Sequence, residues 1–151
     1  MSEVKKITLN PLSEGTAIDH LNPGTAVRVL EVLGIEGFRI SAGMNVESHK
    51  MGKKDLIFID GKKLSEAEIN KIAIVGRGAT INIIEASKVV KKVKITIPSQ
   101  VSGIIKCINP MCVTNKENVA TNFSIKPHHL TAKCFYCETT MNEREIVNSI
   151  V

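Results

Sequence analysis

Two closely spaced cysteine pairs are the feature that most constrains this chain. The sequence contains four cysteines, and all of them lie between residues 107 and 137. Cys107 and Cys112 are separated by four residues, and Cys134 and Cys137 by two. Such spacings let two thiolates converge from one turn, and two such turns provide the tetrahedral site that zinc prefers. The sequence therefore predicts one structural zinc ion bound by Cys107, Cys112, Cys134 and Cys137.

The same cysteines could instead form two disulfides or remain buried thiols. Disulfides are typical of secreted proteins, whereas this chain opens with Met1-Ser-Glu-Val-Lys-Lys6, which is not an apolar signal segment. We therefore expect a reducing, cytoplasmic setting. Four thiolates complete a tetrahedral shell, so we expect the site to support the fold and not to bind substrate. For the same reason His128 and His129 are predicted to lie at the surface or to contact a partner.

Charge and aromatic content bear on nucleic-acid binding. The formal net charge is +5; four thiolates remove four charges and Zn²⁺ returns two, which leaves about +3. The sequence has no Trp, one Tyr and four Phe, fewer than a module that stacks on single-stranded bases usually has. A zinc-ribbon nucleic-acid-binding module is nevertheless the main alternative, because it would share the cysteines and the basic pI.

The first part of the chain alternates between strand and helix patterns. Residues 24–34 and 65–75 show helical spacing of apolar side chains, with Gly34 as the expected stop of the first helix. Ser65 and Glu68 form a capping box at the start of the second. Strands are predicted at residues 4–9, 16–21, 38–46, 55–60, 80–86 and 88–97. This order predicts an α+β fold: a ferredoxin-like split βαβ domain with an antiparallel sheet and two helices.

The periodicity of these segments also predicts which side chains share a face. The inner face of the first helix is expected to carry Val27, Leu30 and Leu33. A half-buried face in the third strand is expected to carry Phe38, Ile40, Ala42, Met44 and Val46. In the last strand, one face is expected to carry Val89, Val93, Ile95 and Ile97, and the opposite face Lys88, Lys92, Lys94 and Thr96.

A change of pattern at Pro98 marks a domain boundary. The remainder of the chain is predicted to be a small all-β zinc-binding domain, built from short strands around the cysteine turns. A domain of about fifty residues rarely buries enough apolar surface to be stable without a cross-link, and a zinc ion would provide one. The predicted domains are therefore residues 1–97 and 98–151.

The segment Gly15-Thr-Ala-Ile-Asp-His20 is a second candidate site. A glycine permits a tight turn, and an Asp–His pair combines an acceptor with an imidazole. Alone the signal is weak, because Asp19 and His20 could simply end a strand in solvent. The lysines of residues 88–97 could likewise bind an anion or form an ordinary solvated face.

Four segments, taken in order along the chain, resemble one family. They are Gly15-Thr-Ala-Ile-Asp-His20, Met51-Gly-Lys-Lys-Asp-Leu-Ile57, Ala79-Thr-Ile-Asn82 and the two cysteine pairs. Their spacings are similar over essentially the whole length. On these segments the sequence closely resembles the regulatory chain of aspartate carbamoyltransferase.

The resemblance implies a non-catalytic subunit with an amino-terminal nucleotide-binding domain and a carboxy-terminal zinc domain that docks on the catalytic chain. Such chains pair with one another and join catalytic trimers into a dodecamer with equal numbers of both chains. They transmit inhibition by CTP and activation by ATP in pyrimidine biosynthesis, and the resemblance implies neither nucleic acid nor a membrane as partner. When the family's effector site is transferred to the matching segments of this chain, the resemblance implies the following residues: Leu9, Asn10, Pro11, Leu12, Asp19, His20, Lys54, Asn82, Ile84, Val89 and Lys92.

Three positions depart from the family's pattern. Phe58 stands where a second lysine is usual, Ser87 where an aromatic residue is familiar, and Asn10 in place of an acidic residue. Phe58 cannot donate a hydrogen bond to a base carbonyl, a ribose or a phosphate. We therefore predict that nucleotide binding persists but that the chain discriminates CTP from ATP less sharply.

Overall fold

Antiparallel sheets and short helices build the described part of the chain. The computed structural model describes residues 13–151. Its elements are β1 (Gly15–Leu21), α1 (Ala26–Leu33), β2 (Ile40–Ser48), β3 (Gly52–Asp60), α2 (Glu66–Val75), β4 (Thr80–Glu85), β5 (Lys88–Lys94), β6 (Gln100–Ser102), α3 (Val113–Lys116), β7 (Asn122–Lys126), β8 (Thr131–Cys134), β9 (Thr140–Met141) and α4 (Glu143–Asn148). None of the helices within this range is long and apolar enough to cross a membrane.

The first half of the chain, which the structure describes from residue 13 to residue 97, has the predicted split βαβ arrangement. Its strands form an antiparallel sheet in the order β2-β3-β1-β4-β5, in which β1 lies at the centre between β3 and β4. Ile18, Ile57 and Ile81 of this sheet pack against α1 and α2 in one buried core. The α+β fold class is therefore confirmed. The strand predicted at residues 4–9 lies outside the described residues.

The predicted helix boundaries follow from local capping. In α2, the Ser65 hydroxyl accepts from the backbone N–H of Glu68, and the Glu68 carboxylate accepts from the N–H of Ser65, which confirms the capping box. Helix α1 ends at Gly34, whose φ of 57° is the left-handed conformation that glycine favours. The prediction for Val27 was wrong, because this side chain is 51% exposed and Val29 lies in the core instead.

A bulge in β2 interrupts the predicted alternation of that strand. Pairing with β3 shifts between Gly43 and Val46, and Asn45 adopts a left-handed backbone with φ of 56°. An extra residue in one strand turns the side chains beyond it away from their expected faces. The predicted half-buried face was also wrong before the bulge, since Phe38 is 41% exposed and Ala42 is exposed, and Met44 within the bulge is 55% exposed.

The second half is built on a smaller antiparallel sheet. Its strands follow the order β6-β7-β8-β9, and Phe123 of β7 is fully buried in the core beneath them. The predicted short strands are present, accompanied by the short helices α3 and α4, which the sequence analysis did not anticipate. Helix α4 begins with a second capping box, formed by Asn142 and Glu145. This Asn-x-x-Glu pattern was the signal that could have revealed the helix.

The two halves of the chain are packed together through apolar side chains. Ile74, near the end of α2, is 2% exposed and belongs to the core of the second half. Val75 and Ile97 contact the cores of both halves. The last turn of α2 therefore stabilises the metal-binding half as well as its own.

Polar contacts join the same two halves. The Arg28 guanidinium, on α1, donates to the backbone carbonyl of Val147 in α4. Arg77, in the turn between α2 and β4, forms an ion pair with Glu143 at the start of α4. Two contacts, from α1 and from the turn after α2, therefore fix helix α4 to the first half.

A buried carboxylate organises the first half. Asp55 of β3 is fully buried. One of its oxygens accepts hydrogen bonds from the N–H groups of Gly24 and Ala26 at 2.9 and 3.1 Å. The other accepts from the N–H of Asn45 at 2.8 Å. Asp55 therefore fixes the start of α1 and the bulge of β2 to the same point of β3, and it supplies acceptors that the start of a helix otherwise lacks.

Replacing Asp55 with alanine is expected to destabilise the chain by about 3–5 kcal/mol, because three N–H groups, one buried and two partly buried, lose their acceptor. Asp60→Ala, on the same strand, removes only an exposed ion pair with Arg39 and should cost less than about 1 kcal/mol. Urea unfolding of both metal-loaded variants measures the free energies. Equal losses in the two variants would contradict the role assigned to Asp55.

Candidate metal centre and candidate ligand-binding face

The four cysteines converge on a single point. All four Sγ atoms lie within 4.8 Å of one another. The distance between Sγ atoms is 3.6 Å for Cys107 and Cys137 and 3.8 Å for Cys112 and Cys134. Tetrahedral bonds of about 2.3 Å from zinc to sulfur place sulfur atoms about 3.8 Å apart. The four side chains therefore fit one tetrahedral metal ion.

Hydrogen bonds to backbone carbonyl oxygens shape the two cysteine turns. In the first turn, the side-chain amide of Asn115 donates to the carbonyl oxygens of Cys107 and Asn109, both at 2.8 Å. In the second, the N–H of Glu138 donates to the Cys134 carbonyl at 3.0 Å, and Glu138 adopts a left-handed φ of 62°. Cys134 ends β8, so the sheet fixes where the second turn begins.

The thiols differ in how readily they ionise. Burial raises the pKa of Cys107 to about 12 and also raises the pKa of Cys134. The hydrogen bond with the Thr139 side chain lowers the pKa of Cys137 to about 6. A metal ion must displace the protons of Cys107 and Cys134 in order to bind, so its affinity weakens as the pH falls.

The residues predicted to bind an effector gather on one face of the five-stranded sheet. Ala17 of β1 lies opposite Phe58 of β3 and Asn82 of β4, and Asn82 lies opposite Lys92 of β5. Residues directly opposite in neighbouring strands share a face. We call the face defined by these four residues the outer face, because α1 and α2 pack against the other one.

An ion pair lies at the end of β1 on the outer face. Asp19 and Lys54 both belong to this face by strand alternation, and the Lys54 Nζ lies 2.8 Å from a carboxylate oxygen of Asp19. Partial burial of this carboxylate opposes its ionisation, but hydrogen bonds from Lys54 and from the His20 N–H outweigh burial. The pKa of Asp19 is therefore below its ordinary value, and this carboxylate is charged at neutral pH.

His20 is held at an irregularity of β1. The pairing of β1 with β3 shifts between Ile18 and Leu21, and His20 has a left-handed φ of 59°. Its Nδ1 lies 3.1 Å from the Thr80 hydroxyl. Thr80, opposite Asp19 on the outer face, was missed by the sequence analysis. Its position two residues before Asn82 was the signal, because alternate residues of a strand share a face.

A second bulge, in β5, changes the predicted faces of that strand. Pairing with β4 shifts at Val90, so Val89 lies opposite Ile84 and Lys92 opposite Asn82. Ile84 and Asn82 are two residues apart and share the outer face, and so do their partners. The prediction that placed Val89 on the face opposite Lys92 was wrong.

The same bulge divides the lysines of β5 between two faces. Lys92 and Lys94 lie opposite Asn82 and Thr80 on the outer face, whereas Lys88 lies opposite Glu85 on the other face. Lys91 lies opposite Ile83, also away from the outer face. The predicted single lysine face is therefore wrong for Lys88.

Asn82 carries an unsatisfied acceptor on the outer face. Its Oδ1 is buried and has no hydrogen-bond partner among residues 13–151. A buried polar atom without a partner costs free energy that a ligand donor would recover. Of the predicted effector residues, the structure brings together Asp19, His20, Lys54, Asn82, Ile84, Val89 and Lys92. Leu9, Asn10, Pro11 and Leu12 lie outside the described residues.

Comparison with known proteins covers both halves of the chain. A family model described as "Aspartate carbamoyltransferase regulatory chain, allosteric domain" matches residues 7–96. A second model, described as "Aspartate carbamoyltransferase regulatory chain, metal binding domain", matches residues 99–147. The chain belongs to the family of aspartate carbamoyltransferase regulatory chains.

Relatives along the full length carry the same description. The aspartate carbamoyltransferase regulatory chain of Pyrococcus horikoshii is 44% identical over 150 residues, which cover 96% of this chain and 99% of the relative. That of Sulfolobus acidocaldarius is 43% identical over 152 residues, 97% of this chain and 93% of the relative. That of Methanococcus maripaludis is 44% identical over 140 residues, 91% of this chain and 95% of the relative. The predicted family is confirmed, and the nucleic-acid-binding alternative is not favoured.

Apolar side chains are exposed around the cysteine turns of this regulatory chain. The knuckle patch consists of Ile108, Met111, Val113, Phe135 and Tyr136. Phe135 is 71% exposed and meets Tyr136 edge to face, with ring centroids 5.5 Å apart. Exposed apolar patches often mark protein interfaces. His128 and His129 are also exposed, in the turn between β7 and β8, so their predicted surface position is confirmed.

Removing the metal ion is expected to unfold residues 98–151 and to leave the first half folded, because the thiolates cross-link a half too small to be stable alone. Hydrogen exchange of the full chain after chelation would locate the unfolded residues, and circular dichroism would follow the partial loss of structure. Returning zinc should restore protection, whereas magnesium should not, since it prefers oxygen ligands. Unchanged protection throughout the chain would contradict this prediction.

Proposed function

We propose that this chain is a non-catalytic subunit that binds CTP and ATP and transmits their effects to the catalytic trimers of aspartate carbamoyltransferase in pyrimidine biosynthesis. The observation that carries the proposal is the location of Asp19, Lys54, Asn82 and Lys92 on one face of the sheet, the outer face. These side chains come from four strands, and no catalytic constellation is required to explain them. The proposed effector site also includes Leu9, Asn10, Pro11, Leu12, His20, Ile84 and Val89.

The chemistry of the outer face suits a nucleoside triphosphate. Lys54 and Lys92 supply cationic donors for phosphate oxygens. A ribose hydroxyl would donate to Asp19 when a phosphate draws Lys54 away from that carboxylate. The buried Oδ1 of Asn82 would accept from a base amino group, which both cytosine and adenine carry, and His20 would contact phosphate.

The second half would serve as the docking domain. We assign zinc to the four cysteines because four thiolates at tetrahedral separation suit zinc and leave no open position for chemistry. The knuckle patch lies on the same turns, so the metal ion would fix the shape of the docking surface. Reduced thiolates imply a reducing compartment such as the cytoplasm. We place the domain boundary between residues 97 and 98.

Transmission would pass through the packed junction between the halves. Regulation requires that the nucleotide bind two global states with different affinity. Asp55 connects the strand that carries Lys54 to the start of α1, and Arg28 of α1 contacts Val147 in the docking half. Two regulatory chains would pair through their nucleotide domains and join catalytic trimers in a dodecamer with equal numbers of both chains.

Lys92→Ala is expected to weaken the binding of CTP and ATP about tenfold or more, because a charge-assisted hydrogen bond to phosphate is lost. Lys91→Ala is the matched control: it removes the same charge from the neighbouring position but from the other face, and should change affinity by less than about twofold. Isothermal titration calorimetry of the metal-loaded chains measures the nucleotide affinity of both variants.

Equal losses in the two lysine variants would indicate general electrostatic attraction and would contradict a site on the outer face. The same titrations compare the two nucleotides with the unmodified chain. Phe58 leads us to expect similar affinities for CTP and ATP. A strong preference for CTP would contradict that expectation without affecting the assignment of the site.

Phe135→Asp is expected to weaken assembly with the cognate catalytic chain at least about tenfold, because it places a charge in an apolar docking surface. Val27→Asp makes the same kind of change at an exposed position of α1 and should assemble normally. Size-exclusion chromatography measures assembly. Regulation is measured from the aspartate saturation curve of the catalytic chain at fixed CTP or ATP, with and without this chain.

Normal assembly of the Phe135 variant would place the docking surface elsewhere on the chain. Cys112→Ala should abolish assembly while nucleotide binding persists. A saturation curve that stays unchanged although the unmodified proteins assemble would contradict the regulatory role itself.

A further inference from the structure

A threonine follows the second cysteine of each pair by two residues. These are Thr114, after Cys112, and Thr139, after Cys137. The Thr114 hydroxyl oxygen lies 3.2 Å from the Cys112 Sγ, and the Thr139 hydroxyl oxygen lies 3.2 Å from the Cys137 Sγ. The two cysteine turns thus repeat one arrangement, although their lengths differ.

Metal binding fixes the direction of both hydrogen bonds. A thiolate bound to a metal ion carries no proton, so the threonine hydroxyl must be the donor. Four thiolates around one divalent cation leave a net charge of about −2, which donors to sulfur help to stabilise. The threonines therefore place two hydroxyl dipoles against the negative charge of the centre, one in each turn.

We propose that Thr114 and Thr139 are positioning residues of the metal centre, whose hydroxyls orient two of the thiolates and slow the loss of the metal ion. The proposal rests on the assignment of zinc made above. Cys107 and Cys134 are buried in the core without a threonine at the matching position. The hydroxyls instead support the second ligand of each turn, including Cys137, the least buried of the four.

The burial of the cysteine ligands predicts which threonine has the larger effect on the rate of metal release. A competing chelator or proton reaches an exposed thiolate first, and Cys137 is the partly exposed ligand whereas Cys112 is 1% exposed. Loss of the Thr139 hydroxyl should therefore accelerate metal release more than loss of the Thr114 hydroxyl. Partners of metal ligands typically change metal affinity by about 10–100-fold.

The test measures zinc transfer from the full chain to a chromogenic chelator. Thr139→Val and Thr114→Val keep the branched shape and remove the hydroxyl, and we expect release about tenfold faster for the first and a smaller acceleration for the second. Thr139→Ser, which retains the hydroxyl, should restore slow release. Thr140→Val, at the exposed neighbouring position in β9, is the control and should release zinc at the original rate.

Release at the original rate in both valine variants would overturn the proposal. Failure of Thr139→Ser to restore slow release would do the same, because packing of the methyl group would then be responsible. If a valine variant does not fold, Thr139→Ala replaces it: zinc release faster than from Thr139→Ser supports the proposal, and release at the same rate from both overturns it. A chain that binds no zinc at all would instead refute the metal assignment on which the proposal rests.

Discussion

Convergence of four thiolates is the constraint on which the second half of this chain depends. Cys107, Cys112 and Cys134 are themselves buried members of its core, beside Phe123. The metal ligands and the apolar side chains are therefore parts of one packed unit, and neither can be arranged without the other. The shape of the knuckle patch is therefore set by the chain length between the ligands and by their coordination geometry.

Features determined by neighbouring residues were predictable from the sequence, and features determined by strand pairing were not. The cysteine spacing, the Ser65 capping box and the end of α1 at Gly34 each depend on a few consecutive residues, and all three were predicted. The bulges of β2 and β5 depend on how two strands align. A single extra residue reverses every face assignment on one side of it.

The candidate site shows the same division. The residue types and their segments were predicted from the resemblance, but the shared face of Val89 and Lys92 required the register of β4 and β5. Asp55 was not singled out at all, because its nearest partner in sequence lies ten residues away and its other partners precede it by about thirty. No local pattern in a sequence distinguishes such a carboxylate from one that faces solvent. Buried polar groups with distant partners are visible only in three dimensions.

Ile74 belongs to α2 by sequence and to the second core by packing. Its burial therefore depends on a half of the chain that is synthesised later and that we expect to need a metal ion to become ordered. Until the cysteines have left the ribosome and acquired metal, this side chain has no cover, and exposed apolar groups attract chaperones and proteases. We expect the cellular abundance of the chain to follow the supply of the metal ion that its cysteines bind.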